Sequence, residues 1–475
     1  MSLENLYQIL PVALQNAACS YQGRRIRRRR YNGAFHSALN EYLSRRSLSP
    51  ESLLILRNQR LRSFVIHAAL SVPYYLDTFA SRRIDPEEIQ SLADIVRLPI
   101  LTKSEAQANL VALRSTVLSG HETIMTHTSG TTGRGLVFPL THSAEREQWA
   151  LWWRYRIELG IEFDTPCGVF SGRAIVPVKQ TRAPFWRYNK PAKQVLFSGY
   201  HLKEENLSQY VSEIKRSGVR WLHGYPSHLT LLASHLLNSR DDLRKQITHV
   251  TSGAESLLAH QRELIEKAFD CRMYQHYGLA EGAANISECA HGTLHVDEDF
   301  SAVEFICEDG ADNYRIIGTN FTNDAFPLLR YDTGDVACGL SENTDCPCGV
   351  RSRTVKSIDG RVEDYIVLAD GTKVGRIDHI FKDMTAIREA QIIQLTPGRI
   401  VLRIVRAPEY RERDEKKLRA ETEKYLGKNT HSDIQYVESL QRGKTGKLRF
   451  VISEIPEACV SFVSTNAPGA APVQR

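Results

Sequence analysis

The chain has 475 residues, 42% of them hydrophobic and 24% charged, which is typical of a globular protein that buries a core. No apolar run approaches the roughly 20 residues that span a bilayer. Nine cysteines without a signal-peptide pattern disfavour a disulfide framework. We therefore expect a soluble, cytoplasmic protein of two or three domains with reduced cysteines.

The net charge of +6 is confined to residues 24–30, which contain six arginines, because without them the acidic and basic residues balance. Such a run can bind nucleic acid or an anionic membrane surface. It more often faces solvent or pairs with acidic groups of the same fold. No nucleic-acid-binding module is recognisable elsewhere, so we expect no nucleic-acid partner.

The predicted elements change character along the chain. Residues 1–120 are predicted to be mostly helical. From 121 to 358, short β-rich runs such as 221–225, 247–251 and 273–277 alternate with helical periodicity. Strands that alternate with helices predict βαβ units and a largely parallel sheet.

Beyond residue 360 the pattern predicts a compact α+β block. It contains strands at 390–395 and 399–405, a charged helix at 412–426 and a last strand near 434–437. The tail from residue 458 is rich in alanine, proline and glycine, and we predict that it is disordered.

The strongest local signal is the loop 126–135, Thr-His-Thr-Ser-Gly-Thr-Thr-Gly-Arg-Gly. Small residues allow backbone amides to close around phosphate oxygens, hydroxyl groups add donors, and Arg134 adds positive charge. A polar hairpin turn between the β-rich flanks 124–125 and 136–138 is the alternative interpretation.

This loop differs from the phosphate loop of P-loop NTPases, G-x-x-x-x-G-K-[ST]. The segment 443–445, Gly-Lys-Thr, comes nearest to that motif, but Glu438 stands where its first glycine belongs. No G-x-G-x-x-G follows a predicted strand either. These absences disfavour a kinase, a GTPase and a dinucleotide-dependent dehydrogenase.

Six segments, in order along the chain, resemble the motifs of the adenylate-forming (acyl-CoA synthetase-like) superfamily. They are the phosphate loop 128–133, Gly253-Ala254-Glu255 beside the adenine, the Tyr-Gly-x-x-Glu segment 276–281, the ribose-binding segment 329–335, the hinge 360–364 and the catalytic lysine of Gly446-Lys447.

Shorter segments are similar to the phenylacetate–CoA ligase-like branch of that superfamily, and within it most to the ligases associated with capsular polysaccharide biosynthesis. These segments are 73–75, 98–103, 224–227 and 346–349. The resemblance covers residues 50–455. It implies an α/β fold with a large adenylation domain of layered sheets and helices, 1–360, and a small mobile α+β domain, 361–457, before the tail 458–475.

The resemblance assigns most of the predicted site to nucleotide binding. The residues are Ser129, Gly130, Thr131, Thr132, Gly133, Arg134, Gly253, Ala254, Glu255, His276, Tyr277, Gly278 and Asp335. Asp335, which we expect in a loop, can accept both ribose hydroxyls of ATP, although capping a turn is the alternative. Tyr277 can stack on adenine, and a core tyrosine is the alternative there.

Three residues are assigned to catalysis by the same resemblance. Glu281 would help to hold Mg²⁺ against the phosphates, since hard oxygen ligands suit that ion. Lys447 would place positive charge where a carboxylate attacks the α-phosphate in line. Arg361 would contact the ribose. Glu363 is the expected hinge residue, at a position where the superfamily usually has Asp or Lys.

The acid pocket is predicted from the segment Tyr225-Pro226-Ser227, together with Gly253, Ala254, His276 and Tyr277. Aromatic side chains there would suit an aryl acid, although an apolar core would give the same pattern.

A further cluster of cysteine and histidine suggests a metal site. Cys346-Pro-Cys348-Gly forms a tight knuckle, and Cys289 and His295 flank a predicted hairpin. Together these four residues can form a closed tetrahedral zinc site of structural type. Cys338 and His291 are possible substitutes, and four unrelated reduced side chains are the alternative.

We therefore expect ATP- and Mg²⁺-dependent activation of a carboxylic acid to an acyl-AMP, followed by transfer to coenzyme A. Transfer to an amine or a hydroxyl, for example on a sugar, is an alternative, because segment 368–372 replaces a Gly-rich loop common in CoA ligases. A non-catalytic nucleotide-binding protein is a further alternative. Intact Thr131, Glu281, Asp335, Arg361 and Lys447 disfavour it. The sequence leaves the oligomeric state open, a homodimer included.

Overall fold

The chain is described by a computed structural model. It covers residues 3–118, 123–128, 136–254, 257, 259–307, 313–342, 345–359, 366–371, 373–374, 377–381, 384, 386–406, 410–438, 440, 451–453 and 455. The chain divides into two compact units. The described residues of the first unit end at 359, and those of the second begin at 366.

The first unit begins with helices, as predicted. They are α1 (Leu3–Ile9), α2 (Val12–Arg30), α3 (Gly33–Ser44), α4 (Pro50–Ser71), α5 (Pro73–Arg82), α6 (Leu92–Ile95) and α7 (Lys103–Ala108). Local signals fix the start of α4, because the Ser49 hydroxyl accepts from the Ser52 amide at 3.2 Å and Pro50 occupies the first turn. Among the described residues, no helix combines the length and the apolar character needed to cross a bilayer.

The centre of the first unit is a nine-stranded sheet. Its strands are β3 (Cys167–Ser171), β4 (Trp186–Asn189), β5 (Gln194–Ser198), β6 (Trp221–Gly224), β7 (His249–Gly253), β8 (Met273–Gly278), β9 (Asn285–Glu288), β10 (Leu294–Val296) and β14 (Thr354–Val355). They lie in the order β14-β10-β9-β8-β7-β6-β3-β5-β4.

The predicted parallel sheet is confirmed for the five central strands, β5, β3, β6, β7 and β8. The strands outside them pair antiparallel. The connection 279–284 between β8 and β9 explains one such change, because it is too short for the crossover that a parallel pair requires.

Helices cover both faces of this sheet. The helices are α8 (His142–Glu158), α9 (Glu204–Ser217), α10 (Pro226–Asn238) and α11 (Ala259–Phe269). Leu222 and Val250 belong to the apolar core that includes α9, α10 and α11, whereas Trp221 and Cys167 pack with residues of α3 and α8. The neighbours Trp221 and Leu222 thus point to opposite faces, as successive strand residues do.

The described residues of the first unit also form two antiparallel sheets. One is the hairpin of β1 (Thr123–His127) and β2 (Val137–Thr141), and the other has the order β11-β12-β13-β15, with β11 (Ser301–Cys307), β12 (Asn313–Asn320), β13 (Tyr331–Cys338) and β15 (Ser357–Asp359). The predicted β-rich flanks of the phosphate loop are therefore paired strands. The loop residues 129–135 themselves lie outside the described part.

The second unit is an α+β block. It contains β16 (Ile366–Val367), β17 (Lys373–Val374), β18 (Ile387–Thr396), β19 (Arg399–Arg406), α12 (Glu412–Leu426), β20 (His431–Tyr436) and β21 (Val451–Ser453). The helix coincides with the predicted range 412–426. The last predicted strand begins earlier than expected, because parallel pairing with β19 already starts at His431. The tail 458–475 lies outside the described residues.

Candidate active site

Three of the predicted motifs follow neighbouring parallel strands. Tyr225 comes after β6, Ala254 after β7, and Gly278 ends β8. The strand register sets Gly224 beside Ser252 and Gly253 beside His276. The carboxyl ends of parallel strands are where open α/β sheets bind ligands. The sheet therefore gathers these motifs at the edge where a substrate would bind.

Tyr277 and Asp335 are in direct contact although 58 positions separate them. The Tyr277 hydroxyl donates to Asp335 Oδ2 at 2.8 Å, and Asp335 is 5% exposed. An aromatic ring and a carboxylate side by side can contact a base and a pair of hydroxyl groups respectively. Two residues predicted to bind one nucleotide are thus brought together.

Asp335 lies within strand β13 and not in the loop that we expected. The register passes from Ile317 opposite Asp332 to Arg315 opposite Val336, so Ile316 faces a bulge of three residues. Gly334 has φ +75°, a left-handed conformation that glycine adopts readily. The prediction of a loop at Asp335 is therefore wrong, because the segment 333–335 is a bulge within a paired strand.

Glu281 is buried next to the start of the same strand. Its side chain is in hydrogen-bond contact with Tyr331, whose hydroxyl donates to Oε1 at 3.3 Å, and its backbone oxygen accepts from Asn320 Nδ2 at 3.0 Å. The residue is 6% exposed. Its carboxylate is of the ligand type that Mg²⁺ prefers. Two side-chain hydrogen bonds, Tyr277 to Asp335 and Tyr331 to Glu281, thus connect the segments 276–281 and 329–335.

Arg330 is a buried residue of this region that the sequence interpretation missed. It has φ +49°, and its guanidinium pairs with Glu304 at 2.7 Å and donates to the backbone oxygens of Val96 at 3.0 Å and Leu98 at 2.6 Å. The next residue, Tyr331, forms an isolated parallel β-bridge with Leu101 through the backbone. Arg330 therefore attaches the segment 98–101 to the strand that carries Asp335.

His276 lies on the opposite face of β8 from Tyr277. Its ring stacks on Tyr155 at 5.6 Å and contacts Trp152 edge-on at 5.4 Å, both on α8. Its Nε2 is 3.0 Å from Asn285 Oδ1, which can only accept, so Nε2 carries the proton. Burial, and then the charge of Arg156, lower the pKa of His276 to about 4, so the ring is neutral. Its assignment to nucleotide binding stays a prediction.

Asn285 continues this contact into a buried polar network. Its Nδ2 donates to Asp297 Oδ2 at 2.6 Å, and Arg154 binds Asp297 at 2.7 Å and Asp299 at 2.6 Å. Arg154 is 1% exposed. Burial alone would lower its pKa, but the two carboxylates raise it above the usual value, so the guanidinium stays charged. The sequence offered one unused signal, an arginine in an aromatic stretch of α8.

The predicted acid pocket is partly described. Tyr225 is 6% exposed, and its ring lies 5.2 Å from that of His228. Pro226 occupies the first turn of α10, and the side chain of Ser227 is outside the described part. Ala254 has φ +70°, a left-handed conformation that costs about 1–2 kcal/mol for a residue with a Cβ. The turn after β7 is therefore held in a strained backbone conformation.

The four residues of the predicted metal site form one cluster. The ligand atoms of Cys289, His295, Cys346 and Cys348 all lie within 4.8 Å of one another. Cys289 Sγ is 3.6 Å from Cys346 Sγ, and Cys348 Sγ is 3.3 Å from His295 Nε2. Cys338 and His291, the suggested substitutes, are not part of this cluster. The donor set could hold a metal ion.

The arginine run 24–30 pairs in part with acidic groups of the same unit. Arg29 and Arg30 bind the buried Glu145 at 2.7 and 2.6 Å, and Arg27 lies 3.5 Å from Asp164. Burial would raise the pKa of Glu145, but the two guanidinium groups lower it below the usual value. Three of the arginines therefore have a role in the fold, as the alternative interpretation expected.

Several predicted site residues fall outside the described part of the chain. They are Ser129, Gly130, Thr131, Thr132, Gly133, Arg134, Glu255, Arg361, Glu363 and Lys447. Their assignments stay predictions.

Comparison with known proteins gives this geometry a family context. Residues 366–454 match the family described as the CapK C-terminal domain. Protein CapK of Staphylococcus aureus is 27% identical over 464 residues, which cover 95% of this chain and 100% of CapK. The phenylacetate-coenzyme A ligase of Escherichia coli (strain K12) is 23% identical over 348 residues, which cover 67% of this chain and 74% of that protein.

A solved structure of similar fold is that of 2-hydroxyisobutyryl-CoA ligase in complex with 2-HIB-AMP and CoA. Its TM-score is 0.58 at 17% sequence identity, over 86% of this chain and 91% of that one. At such low identity the likeness shows the fold. The chain is thus homologous to CapK and to phenylacetate-coenzyme A ligases, and it has the fold of the adenylate-forming acyl-CoA ligases.

Proposed function

We propose that the chain activates a carboxylic acid with ATP, forming an acyl-AMP and pyrophosphate, and then transfers the acyl group to coenzyme A. The observation that carries this proposal is the 2.8 Å hydrogen bond between Tyr277 and Asp335, which joins two separately predicted nucleotide-binding motifs. Its support from relatives is general, since the chain is homologous to acid–CoA ligases.

In the first step the described residues would bind and orient the nucleotide. Asp335 has two carboxylate oxygens that can accept the two ribose hydroxyls, and the Tyr277 ring can lie against the base. Glu281 would bind Mg²⁺, which when present neutralises phosphate charge. All three carry side chains suited to these ligands, and two of them are in direct contact.

The chemistry of adenylation would rest on positive charge near the α-phosphate. A carboxylate oxygen of the acid attacks that phosphorus, the bond to pyrophosphate breaks, and negative charge builds on the phosphoryl oxygens. Lys447 would stabilise this charge and Arg361 would contact the ribose, both assigned by resemblance. We expect Lys447→Ala to abolish acyl-AMP formation while ATP binding remains nearly intact, which equilibrium binding and pyrophosphate release would measure together.

The acid itself is proposed to be an aryl acid. Support comes from the aromatic side chains at the carboxyl edge of the sheet, where Tyr225 is buried after β6 and Tyr277 follows within β8. Aromatic rings stack on one another with a gain of about 0.5–1.5 kcal/mol beyond burial of their area. Aliphatic acids of equal volume are the matched control for aryl acids as substrates.

The acceptor is proposed to be coenzyme A. Coenzyme A is named in the ligase relatives, which match 67% of this chain. The family that matches residues 366–454 is that of CapK. An amine or hydroxyl acceptor, for example on an amino-sugar, is therefore the competing outcome of the test.

The cytoplasmic location of the protein also stays a prediction.

The experiment is pyrophosphate release from Mg-ATP with a library of carboxylic acids, with and without coenzyme A. We expect acid-dependent release that coenzyme A accelerates. Acid-dependent release that an amino-sugar accelerates, while coenzyme A does not, would replace the second step. Folded, ATP-binding protein that releases no pyrophosphate with any acid would refute the enzymatic function.

A matched pair of variants makes this assay specific to the site. Asp335→Asn alters the carboxylate that contacts Tyr277, whereas Asp332→Asn, in the same strand, alters a carboxylate that pairs with Arg315 at 2.9 Å. We expect the first variant to raise the KM for ATP and the second to leave it close to that of the unmodified protein.

A further inference from the structure

The cluster of Cys289, His295, Cys346 and Cys348 is built from two segments of the first unit. Cys289 follows β9 and His295 lies in β10, so both belong to one hairpin. Cys346 and Cys348 belong to the segment 345–353, which leads into β14. The two segments approach each other because β14 pairs with β10, setting His295 beside Thr354.

Two of the ligand-atom distances are close to those around a tetrahedral ion, and all four ligand atoms lie within 4.8 Å of one another. With bonds of about 2.3 Å to sulfur and about 2.0 Å to nitrogen, tetrahedral zinc sets its ligand atoms about 3.5–3.8 Å apart. The contacts here are 3.6 Å between Cys289 Sγ and Cys346 Sγ, and 3.3 Å between Cys348 Sγ and His295 Nε2. The sulfurs of Cys289 and Cys346 are too far apart for a disulfide, whose bond is about 2.05 Å.

Burial is a second observation that points to a ligand. His295 is 0% exposed and Cys289 and Cys346 are each 6% exposed, with their polar atoms turned towards one another. His295 Nδ1 has no hydrogen-bond partner among the described residues, so the contact of Nε2 with Cys348 is the polar contact that the structure gives this ring. Burying polar groups without a partner is unfavourable. An ion bound by the three sulfurs and by Nε2 would offset that cost for these four atoms, whereas Nδ1 would still lack a partner.

From this geometry we propose that Cys289, His295, Cys346 and Cys348 bind one zinc ion. Three thiolates and one imidazole form a soft donor set that selects zinc over magnesium or calcium. Four protein ligands fill a tetrahedral site and leave no position for water or substrate. The ion is therefore structural, and the inference is independent of the proposed ligase activity.

The ion would fasten a weakly paired part of the sheet. β14 has two residues, and so short a strand contributes little stability by itself. Through the ion, the segment 345–353 becomes fixed to the β9–β10 hairpin. The same segment continues into β15, which pairs with β13, the strand that carries Asp335. Zinc would thus hold the connection between the large sheet and the strand of the candidate site.

The test begins with the metal content of the full-length chain, purified without chelators. We expect one zinc per chain by inductively coupled plasma mass spectrometry. Cys346→Ser and Cys348→Ser should each lose the zinc and several degrees of Tm. The matched control is Cys307→Ser, since Cys307 is an exposed cysteine outside the cluster. It should keep both zinc content and Tm.

A measurement on the unmodified chain guards against variants that fail to fold. A chelator should lower the Tm, zinc should restore it, and cobalt in place of zinc should give the absorption of a tetrahedral thiolate site. Unmodified protein that takes up no stoichiometric zinc, or a Cys346→Ser variant that retains it, would overturn the proposal. Neither result depends on whether a substrate has been found.

Discussion

Replacing Asn285 with alanine removes a buried amide that several groups share. Its Oδ1 accepts from His276 Nε2 and from Trp152 Nε1, each at 3.0 Å, and its Nδ2 donates to Asp297 Oδ2 at 2.6 Å. Asn285 is 1% exposed. After the substitution two donors and one carboxylate oxygen lose this partner where water has little access. The polar connection between α8 and the β8–β9 pair would be broken.

The expected cost follows from these contacts. A buried donor without an acceptor costs about 1–3 kcal/mol, and a hydrogen bond to a charged group contributes about 1.5–3 kcal/mol. Local relaxation recovers part of this sum, since single substitutions rarely exceed about 5 kcal/mol. We therefore expect Asn285→Ala to lower the free energy of unfolding by about 3–5 kcal/mol.

Ser287→Ala is the matched control for this substitution. The Ser287 hydroxyl donates to the same Asp297 oxygen at 2.7 Å. Loss of this hydrogen bond should lower the free energy of unfolding by about 2 kcal/mol. Urea unfolding of the full chain, followed by tryptophan fluorescence and by circular dichroism, measures both variants. The reasoning is refuted if Asn285→Ala lowers the free energy of unfolding by less than about 1 kcal/mol, which is less than one hydrogen bond to a charged group contributes. It is also refuted if Asn285→Ala lowers that free energy by no more than Ser287→Ala does.

Three further predictions concern backbone strain, packing and pH. Ala254→Gly should raise the free energy of unfolding by about 0.5 kcal/mol, because relief of the φ +70° conformation outweighs the added entropy of the unfolded chain. A lower free energy of unfolding in urea would contradict this. Gly224→Ala should cost about 1–3 kcal/mol in the same assay, since its Cβ would lie 2.6 Å from the backbone oxygen of Phe170. Burial lowers the pKa of His223 to about 3 and that of His276 to about 4, from 6.5. Below pH 6.5 the unfolded chain therefore binds protons that the folded chain does not, and stability should fall by about 1.4 kcal/mol per pH unit for each ring until the folded pKa is reached. His276→Gln should flatten that slope between pH 6.5 and 4, and an unchanged slope would show that the ring is not the cause.

Local sequence patterns predicted the positions of helices and strands better than they predicted how the strands pair. The helix Glu412–Leu426 was predicted correctly, because its charged periodicity is a property of the segment itself. Outside the parallel core, the hairpin of β9 and β10 was predicted, but the antiparallel direction of β4, β14 and the β8–β9 pair was not, since strand direction depends on the connections and on pairing across the sheet. Likewise Asp335 was expected in a loop, and the pairing of β13 with β12 turns that segment into a bulge.

The candidate site shows the same division. The motifs indicated Tyr277 and Asp335 separately, but only the fold brings the hydroxyl within 2.8 Å of the carboxylate. The network of Arg154 and Asp297 was missed, because charged residues normally face solvent and the aromatic neighbours of Arg154 do not indicate which carboxylates it contacts. The four zinc ligands could be proposed from residue type and spacing, whereas the exclusion of Cys338 required the structure.

The most direct test of the central claim is acid-dependent exchange of labelled pyrophosphate into ATP, because that exchange requires reversible formation of an acyl-AMP. Asp335→Ala removes a charged acceptor of two hydroxyl hydrogen bonds, worth about 1.5–3 kcal/mol each. We therefore predict exchange with at least one class of acid, and a loss of about 100-fold or more in Asp335→Ala, with Asp332→Asn nearly unaffected. Exchange that survives in Asp335→Ala, or folded ATP-binding protein that exchanges with no acid, would contradict the account.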